Sequence, residues 1–371
     1  MQENPSITLI TTYPSSPPLP KIKEGEDPVT MYLKSLPKED LKRKIPESLS
    51  PSSLIEYLEC PRKFYFSQIE NLSPPLMDPL EKSREKMFGT LFHHLIGELY
   101  KEIFSGKETL TAKELKEKIE KKKKEVHQRE VFSRWIQEKL FSYLLPYGPL
   151  SSTPLWKIHP ILYLQEPTLI EFMERTLERD LNWIKEVEGE DFLSLKTEHS
   201  IYTSLSKLNL PPFPPSLKGR VDRMIAGEKT IFVLDYKTGK CPEELEKGKD
   251  PARIFHEIAN GDLTGIKKNK IFSPFFQIVT YAFLLHAEEG KEVTTDLYYL
   301  SAKEPSTFGT FPKNLTFSTP LFEDWKKIVT TVLERMFQVE DTPFPTNPDR
   351  EVCKICPYLH LCKDGKLQTG S

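Results

Sequence analysis

The stretch that decides the fold runs from Gly219 to Lys240: GRVDRMIAGEKTIFVLDYKTGK. Two apolar, β-branched runs, Lys218–Ala226 and Thr230–Tyr236, flank the turn Gly227-Glu228-Lys229, which is a hairpin signal. Asp222 lies in the first run and Asp235 near the end of the second. Hairpin-connected strands can bring these acids to one point. Two carboxylates with neighbouring oxygens suit a hard cation such as Mg²⁺, which keeps waters and takes substrate phosphate. Asp235 and Lys237 share strand parity and so face the same way. An ammonium there can hold or help deprotonate a water and neutralise developing negative charge. Taken alone, the D…DxK pattern reads more readily as two strand ends with a solvated ion pair.

Working outward, KTEHSIYTSL (196–205) reads as a strand before the proline break PPFPP. A helix, SPFFQIVTYAFLLHAEE, follows the hairpin, then the strand VTTDLYYLS (293–301) and the helix LFEDWKKIVTTVLERMF. Upstream, Ser50-Pro51-Ser52 starts one helix, and MFGTLFHHLIGELYKEIF forms a second with apolar residues at helical spacing. Charged helical segments at 111–145 and 167–188 predict an inserted helical lobe, spanning 110–190. Helices and strands in this order predict an α/β fold with a mixed central sheet. Residues 1–49, rich in proline, serine and charge, read as a largely disordered leader with one short helix near Met31–Leu36. Residues 50–363 read as the folded domain, with a cysteine cluster at 350–363 and a tail at 364–371.

The chain has 371 residues, 52 basic against 54 acidic, for a net charge of −2. A globally basic nucleic-acid binder is not indicated, whereas a local basic groove is compatible with this balance. No apolar run approaches the length of a spanning helix. The N-terminus has no basic region followed by an apolar core, so a cytoplasmic protein without membrane association is expected. No GxxxxGK[ST] loop is present.

Further residues offer chemistry at modest specificity. Gln277 and Tyr281 stand i, i+4 on one helix and share a face. His93 and His94 point about 100° apart on theirs, so one of them can enter a site, and periodicity does not choose which. Glu198 could add a third carboxylate, and Lys267, Lys268 and Lys270 could contact phosphates. Cys353-x2-Cys356-x5-Cys362 is ligand-like but one short of a tetrahedral set; Cys60 or Cys241 could complete it. Four thiolates hold zinc or an iron–sulfur cluster, and spacing does not decide between them.

Together and in this order, GTLFH (89–93), GRVDR (219–223), VLDYKTGK (233–240), QIVTY (277–281) and Cys60 with the C-terminal cysteines are specific. Over about residues 50–363 the chain resembles the RecB-like branch of the PD-(D/E)xK nuclease superfamily. Within it, the resemblance is to the nuclease domain of the AddB recombination subunit and to CRISPR-associated exonucleases with an iron–sulfur cluster. That resemblance implies a restriction-endonuclease-like core and a Mg²⁺- or Mn²⁺-dependent deoxyribonuclease, an exonuclease of DNA end processing. It implies His93 rather than His94, with Asp222, Asp235 and the Tyr236 carbonyl, as metal ligands. It makes Lys237 the catalytic lysine, Gln277 and Tyr281 the helix motif near the scissile phosphate, and Glu198 an upstream acid. Cys60, Cys353, Cys356 and Cys362 would bind a [4Fe–4S] cluster, with Zn²⁺ as the alternative, and Cys241 is left over. An ATP-dependent helicase subunit is an expected partner. The competing readings are a non-catalytic DNA-end-binding subunit, a spacer-processing exonuclease and a zinc-stapled scaffold for protein partners.

Overall fold

A computed structural model describes residues 28–72, 79–144, 160–185, 193–213, 215–246, 249–261, 270–299, 312–337, 344–346, 353–354 and 356–362. Its centre is a mixed six-stranded sheet. The strands are β1 (Ser48–Leu49), β2 (Thr109–Leu110), β3 (Leu193–Thr203), β4 (Ser216–Ala226), β5 (Thr230–Lys237) and β6 (Glu292–Tyr299). They lie in the order β2-β3-β4-β5-β6, with β1 pairing parallel to the start of β4. β3–β4 and β4–β5 are antiparallel; β5 and β6 run parallel. The parallel pair needs a crossover, which the helix Phe272–Glu289 supplies. This is the α/β arrangement expected from the sequence, a sheet flanked by helices.

Each face of the sheet buries its own apolar cluster. One includes Leu217, Val221, Ile231 and Val233 beneath the Phe272–Glu289 and Pro320–Phe337 helices. The other includes Leu193, Ile225, Phe232 and Leu234 beneath the Pro79–Phe104 helix and the helical lobe. The lobe consists of Ala112–His127, Arg129–Leu144 and Pro160–Ile184. Thr111 starts it with a capping box, its side chain accepting from the Glu114 N–H while Glu114 accepts from the Thr111 N–H.

The leader reading needs correction over residues 28–49. Pro28–Ser35 and Lys38–Lys44 are helices, and Leu33, Leu41, Ile45 and Leu49 are buried in the main core. The high polar content hid a small set of apolar anchors, and β1 then pins the segment to the sheet edge of β4. Residues 1–27 and the tail 364–371 lie outside the described residues. No helix among the described residues is long and apolar enough to cross a membrane.

Candidate metal centre and nuclease site

Two local departures from sheet regularity build the site. The first is in β3–β4. In β3, Leu193, Leu195 and Thr197 face the Pro79–Phe104 helix, whereas Ile201 and Thr203 face the Phe272–Glu289 helix. In β4, Leu217, Gly219 and Val221 face the second helix, whereas Arg223 and Ile225 face the first. Both strands therefore reverse side-chain parity, at opposite positions. Thr197↔Arg223 and His199↔Val221 pair on either side, and the ladder is interrupted at Glu198 and Asp222 between them. Glu198 takes a left-handed backbone, with φ of 49°. A non-glycine residue there costs roughly 1–3 kcal/mol and such positions cluster at functional sites. The reversal turns Glu198 and Asp222 together toward His93.

The second departure is a fork. β4 and β5 pair from Ala226↔Ile231 only as far as Arg223↔Leu234, then separate. The Asp222 carboxylate fills the notch and accepts the Tyr236 N–H at 2.8 Å. In an extended strand the N–H and C=O of one residue point to the same side. The Tyr236 carbonyl therefore also faces the fork.

His93 Nδ1 lies 3.3 Å from Asp222 and 3.6 Å from Glu198, and His93, Glu198 and Asp222 form a group compact enough to hold a metal ion. Burial disfavours charge on His93, but hydrogen bonds to Asp222 and Glu198 and the charges of Asp222 and Asp235 outweigh it, lifting its pKa to about 10. His94 turns away and stacks on the Tyr143 ring at 4.2 Å. The choice between the two histidines is made by tertiary packing: Tyr236 meets the rings of both Phe92 and His93 edge-on and fixes the rotation of their helix.

Asp235 is buried and points to the opposite face from Glu198, with Lys237. Burial pushes its carboxyl up to about 6, against the opposing pull of Lys237 and with the help of Asp222. Lys237 Nζ stands 2.6 Å from Asp235 Oδ2 and opposes the cost of burying that carboxylate. A buried carboxylate is costly unless cations offset its charge, and a divalent ion beside it would add to what Lys237 supplies. The donor set of carboxylate oxygens, one imidazole and a backbone carbonyl thus fits a divalent ion.

A relay holds Lys237. It donates to Gln277 Oε1 at 3.0 Å, and Gln277 Nε2 donates to the Tyr281 hydroxyl at 2.7 Å. Tyr281 lies against Gly219, where any side chain would overlap its ring. The glycine of GRVDR therefore admits the tyrosine of QIVTY.

Two contributors escaped the sequence reading. Arg220 pairs with Glu198 at 3.0 Å. Behind the site, fully buried Arg223 binds Asp180 of the Pro160–Ile184 helix through two nitrogens, at 2.7 and 2.5 Å, and Tyr298 donates to the same carboxylate. Burial opposes the Arg223 charge, but Asp180 preserves it. The only signal was the charge of Arg223 itself inside an apolar run. Lys267 and Lys268 lie outside the described residues, and Lys270 is exposed at the start of a turn before the Phe272–Glu289 helix.

Tetrahedral zinc with sulfurs at 2.3 Å holds them about 3.8 Å apart. Among the described residues no three cysteine sulfurs lie within 4.8 Å of one another. Burial pushes the Cys356 thiol up, and the charge of Cys60 adds to this; the Cys241 thiol donates to the Pro242 carbonyl. Residues 62–72 meet Phe344 and Tyr358 through other groups. Buried Arg62 donates from Nε to the Phe344 carbonyl at 2.9 Å, and Phe64 and Tyr65 pack on the Phe344 ring. Tyr358 packs on Phe66 and donates to the Leu72 carbonyl.

No curated protein matches this chain. The model of the PD-(D/E)XK nuclease superfamily matches residues 48–363, which contain both departures from the sheet and the whole Lys237 relay, and the chain belongs to that superfamily.

Proposed function

We propose that the protein is a Mg²⁺- or Mn²⁺-dependent deoxyribonuclease, an exonuclease that processes DNA ends in repair and recombination. The observation that carries this reading is the metal-sized group of His93, Glu198 and Asp222 beside the fork between β4 and β5, with the Asp235–Lys237 pair close enough to influence His93 and Asp222. His93, Asp222, Asp235 and the Tyr236 carbonyl would hold the ion, with Glu198 available to it. When bound, the ion supplies Lewis-acid stabilisation of the phosphate and acidifies a water.

The side chains account for the remaining work. Lys237 has three N–H donors. Asp235 and Gln277 engage one side of its ammonium, leaving a donor for the attacking water or a phosphate oxygen. Tyr281 orients the Gln277 amide so that its oxygen faces Lys237. The relay therefore fixes the ammonium in place before substrate arrives, which lowers reorganisation during reaction. Asp222 is held by the Tyr236 N–H, so metal binding needs little movement of this carboxylate.

The reading extends to a [4Fe–4S] cluster on Cys60, Cys353, Cys356 and Cys362. It is supported by the electrostatic influence of Cys60 on Cys356 and by the aromatic contacts that join residues 64–66 to Phe344 and Tyr358. A cluster spaces its thiolates more widely than a single ion does. Anaerobically purified protein should absorb at ~400 nm and contain iron and sulfide; colourless protein holding no iron would remove this part of the proposal.

The nuclease reading is tested with end-labelled single- and double-stranded DNA, with and without Mg²⁺ or Mn²⁺, on wild type, Asp235→Ala and Lys237→Ala. Metal-dependent cleavage lost in both variants is expected. Equal cleavage by all three would sink the site assignment. Binding of DNA ends without cleavage by wild type would favour a non-catalytic subunit that lends its grip to an ATP-dependent helicase.

A further inference from the structure

We infer that Tyr202, with Lys218 and Arg220, forms a base-stacking platform that grips a single strand of nucleic acid leading into the fork. This deepens the phosphodiesterase reading and rests on it. The parity reversal that turns Glu198 and Asp222 toward His93 also fixes which residues share their face. Counting along β3, Ser200 and Tyr202 lie on the face of Glu198; counting along β4, Lys218 and Arg220 lie on the face of Asp222. Ser200 pairs with Arg220, and Tyr202 with Lys218. The face thus carries the unpaired Glu198 and Asp222 at the site, then two cross-strand pairs, Ser200 with Arg220 and Tyr202 with Lys218.

This face is open where the ladder leaves the site. Tyr202 is 63% exposed, the highest value among the exposed large hydrophobic residues described, and the Arg220 side chain is 69% exposed. β2 pairs with β3 only at Leu193 and Ser194, far from Tyr202. A tyrosine ring so exposed gains nothing from the core, so packing does not account for it. Its neighbours are cations, and its face leads to the acids that would hold the metal. An aromatic ring flanked by basic groups is how proteins hold single strands without reading sequence, because every base has a π-face. Arg220 adds a second function: its pairing with Glu198 at 3.0 Å connects the platform to the metal-side acid.

The geometry sets the reach. Four residues of strand separate Tyr202 from Glu198, roughly 13 Å at the rise of a β-strand. That spans about four nucleotides stacked at 3.4 Å, and fewer if the strand is stretched. The platform therefore holds a base a few positions from the phosphate at the fork. A duplex cannot present a base face there without unpairing, so the platform favours single strands.

The test is fluorescence anisotropy with labelled oligo(dT) in EDTA, where binding is read apart from cleavage. Tyr202→Ala should bind about 5- to 150-fold more weakly, the range for loss of one stacked base. Tyr202→Phe should bind like wild type. An abasic oligomer, which keeps the phosphates but has no base to stack, should bind wild type and Tyr202→Ala equally. Lys218→Ala should reduce the slope of log Kd against log salt by roughly 0.7, the value for one phosphate contact on a single strand. Equal oligo(dT) affinity of wild type and Tyr202→Ala overturns the platform, as does an equal loss in Tyr202→Ala and Tyr202→Phe. Wild type that grips oligo(dT) through Tyr202 but cleaves nothing with Mg²⁺ or Mn²⁺ overturns the nuclease reading and leaves the platform standing.

Discussion

Gly219→Ala should disable Lys237 from two relay steps away. A Cβ built on Gly219 would lie 2.7 and 2.8 Å from the Cδ1 and Cε1 atoms of Tyr281 and 3.4 Å from Leu284 Cδ1. Carbon atoms in ordinary contact stand about 3.5–4.0 Å apart, so the ring must retreat by roughly 1 Å. Tyr281 is 5% exposed and its helix face is buried, so the retreat is into packed core. Overpacking of this kind costs about 1–3 kcal/mol. The Gln277–Tyr281 hydrogen bond, 2.7 Å long, would stretch beyond useful range. Its loss adds roughly 0.5–1.5 kcal/mol and frees the Gln277 amide that holds Lys237. Thermal denaturation should show a Tm lower by about 1–2 °C per kcal/mol lost. Cleavage should fall by up to about 100-fold, the scale for a 1 Å misplacement of a catalytic group. Mn²⁺ affinity should persist, because His93, Asp222 and Asp235 do not depend on this contact. In a Tyr281→Leu background the alanine should cost much less, and the difference is the coupling energy. A Gly219→Ala protein with wild-type Tm and activity, or the same penalty in both backgrounds, would refute the reasoning.

Gly89 makes the contrast. An alanine there meets Thr238 Oγ1 at 3.2 Å, a mild contact at a helical position where glycine itself costs about 1 kcal/mol. Urea denaturation of Gly89→Ala should give a stability within about 1 kcal/mol of wild type, and a loss above 3 kcal/mol would contradict this. Asp235 titrates higher when folded, at about 6, than its unfolded value of 3.8, because burial disfavours its charge. The charged form therefore costs stability, in full above pH 6 and not at all well below pH 3.8. In EDTA, Asp235→Asn should raise Tm at pH 7.5 and lose that advantage toward pH 4, and with Mg²⁺ supplied its cleavage should be lost; a lower Tm at pH 7.5 would argue against the burial penalty. Asp180→Ala strands the fully buried Arg223 guanidinium and should cost about 3–5 kcal/mol in chemical denaturation. Asp180→Leu combined with Arg223→Met should recover most of it, and a cost below 1 kcal/mol for the single variant would show that the pair is dispensable.

The sequence by itself determined the hairpin and the helix carrying Gln277 and Tyr281, and its motifs in order named the candidate site residues. These were legible because strand parity and helical spacing are local, and because a charge inside a β-branched run is visible without a structure. Local patterns could not show that residues 28–49 join the core, since Leu33, Leu41 and Leu49 are single anchors among polar neighbours. They could not separate His93 from His94, because that choice is the rotation of a helix against Tyr236. They gave no sign of Asp180 as the partner of Arg223, which lies on a helix 43 positions earlier in the chain. Tertiary structure alone decided the fork between β4 and β5 and the paired reversal at Glu198 and Asp222. The reason is physical: strict alternation would continue to the end of each strand, and only a left-handed residue opposite an interrupted pair can turn two acids onto the face where a histidine waits.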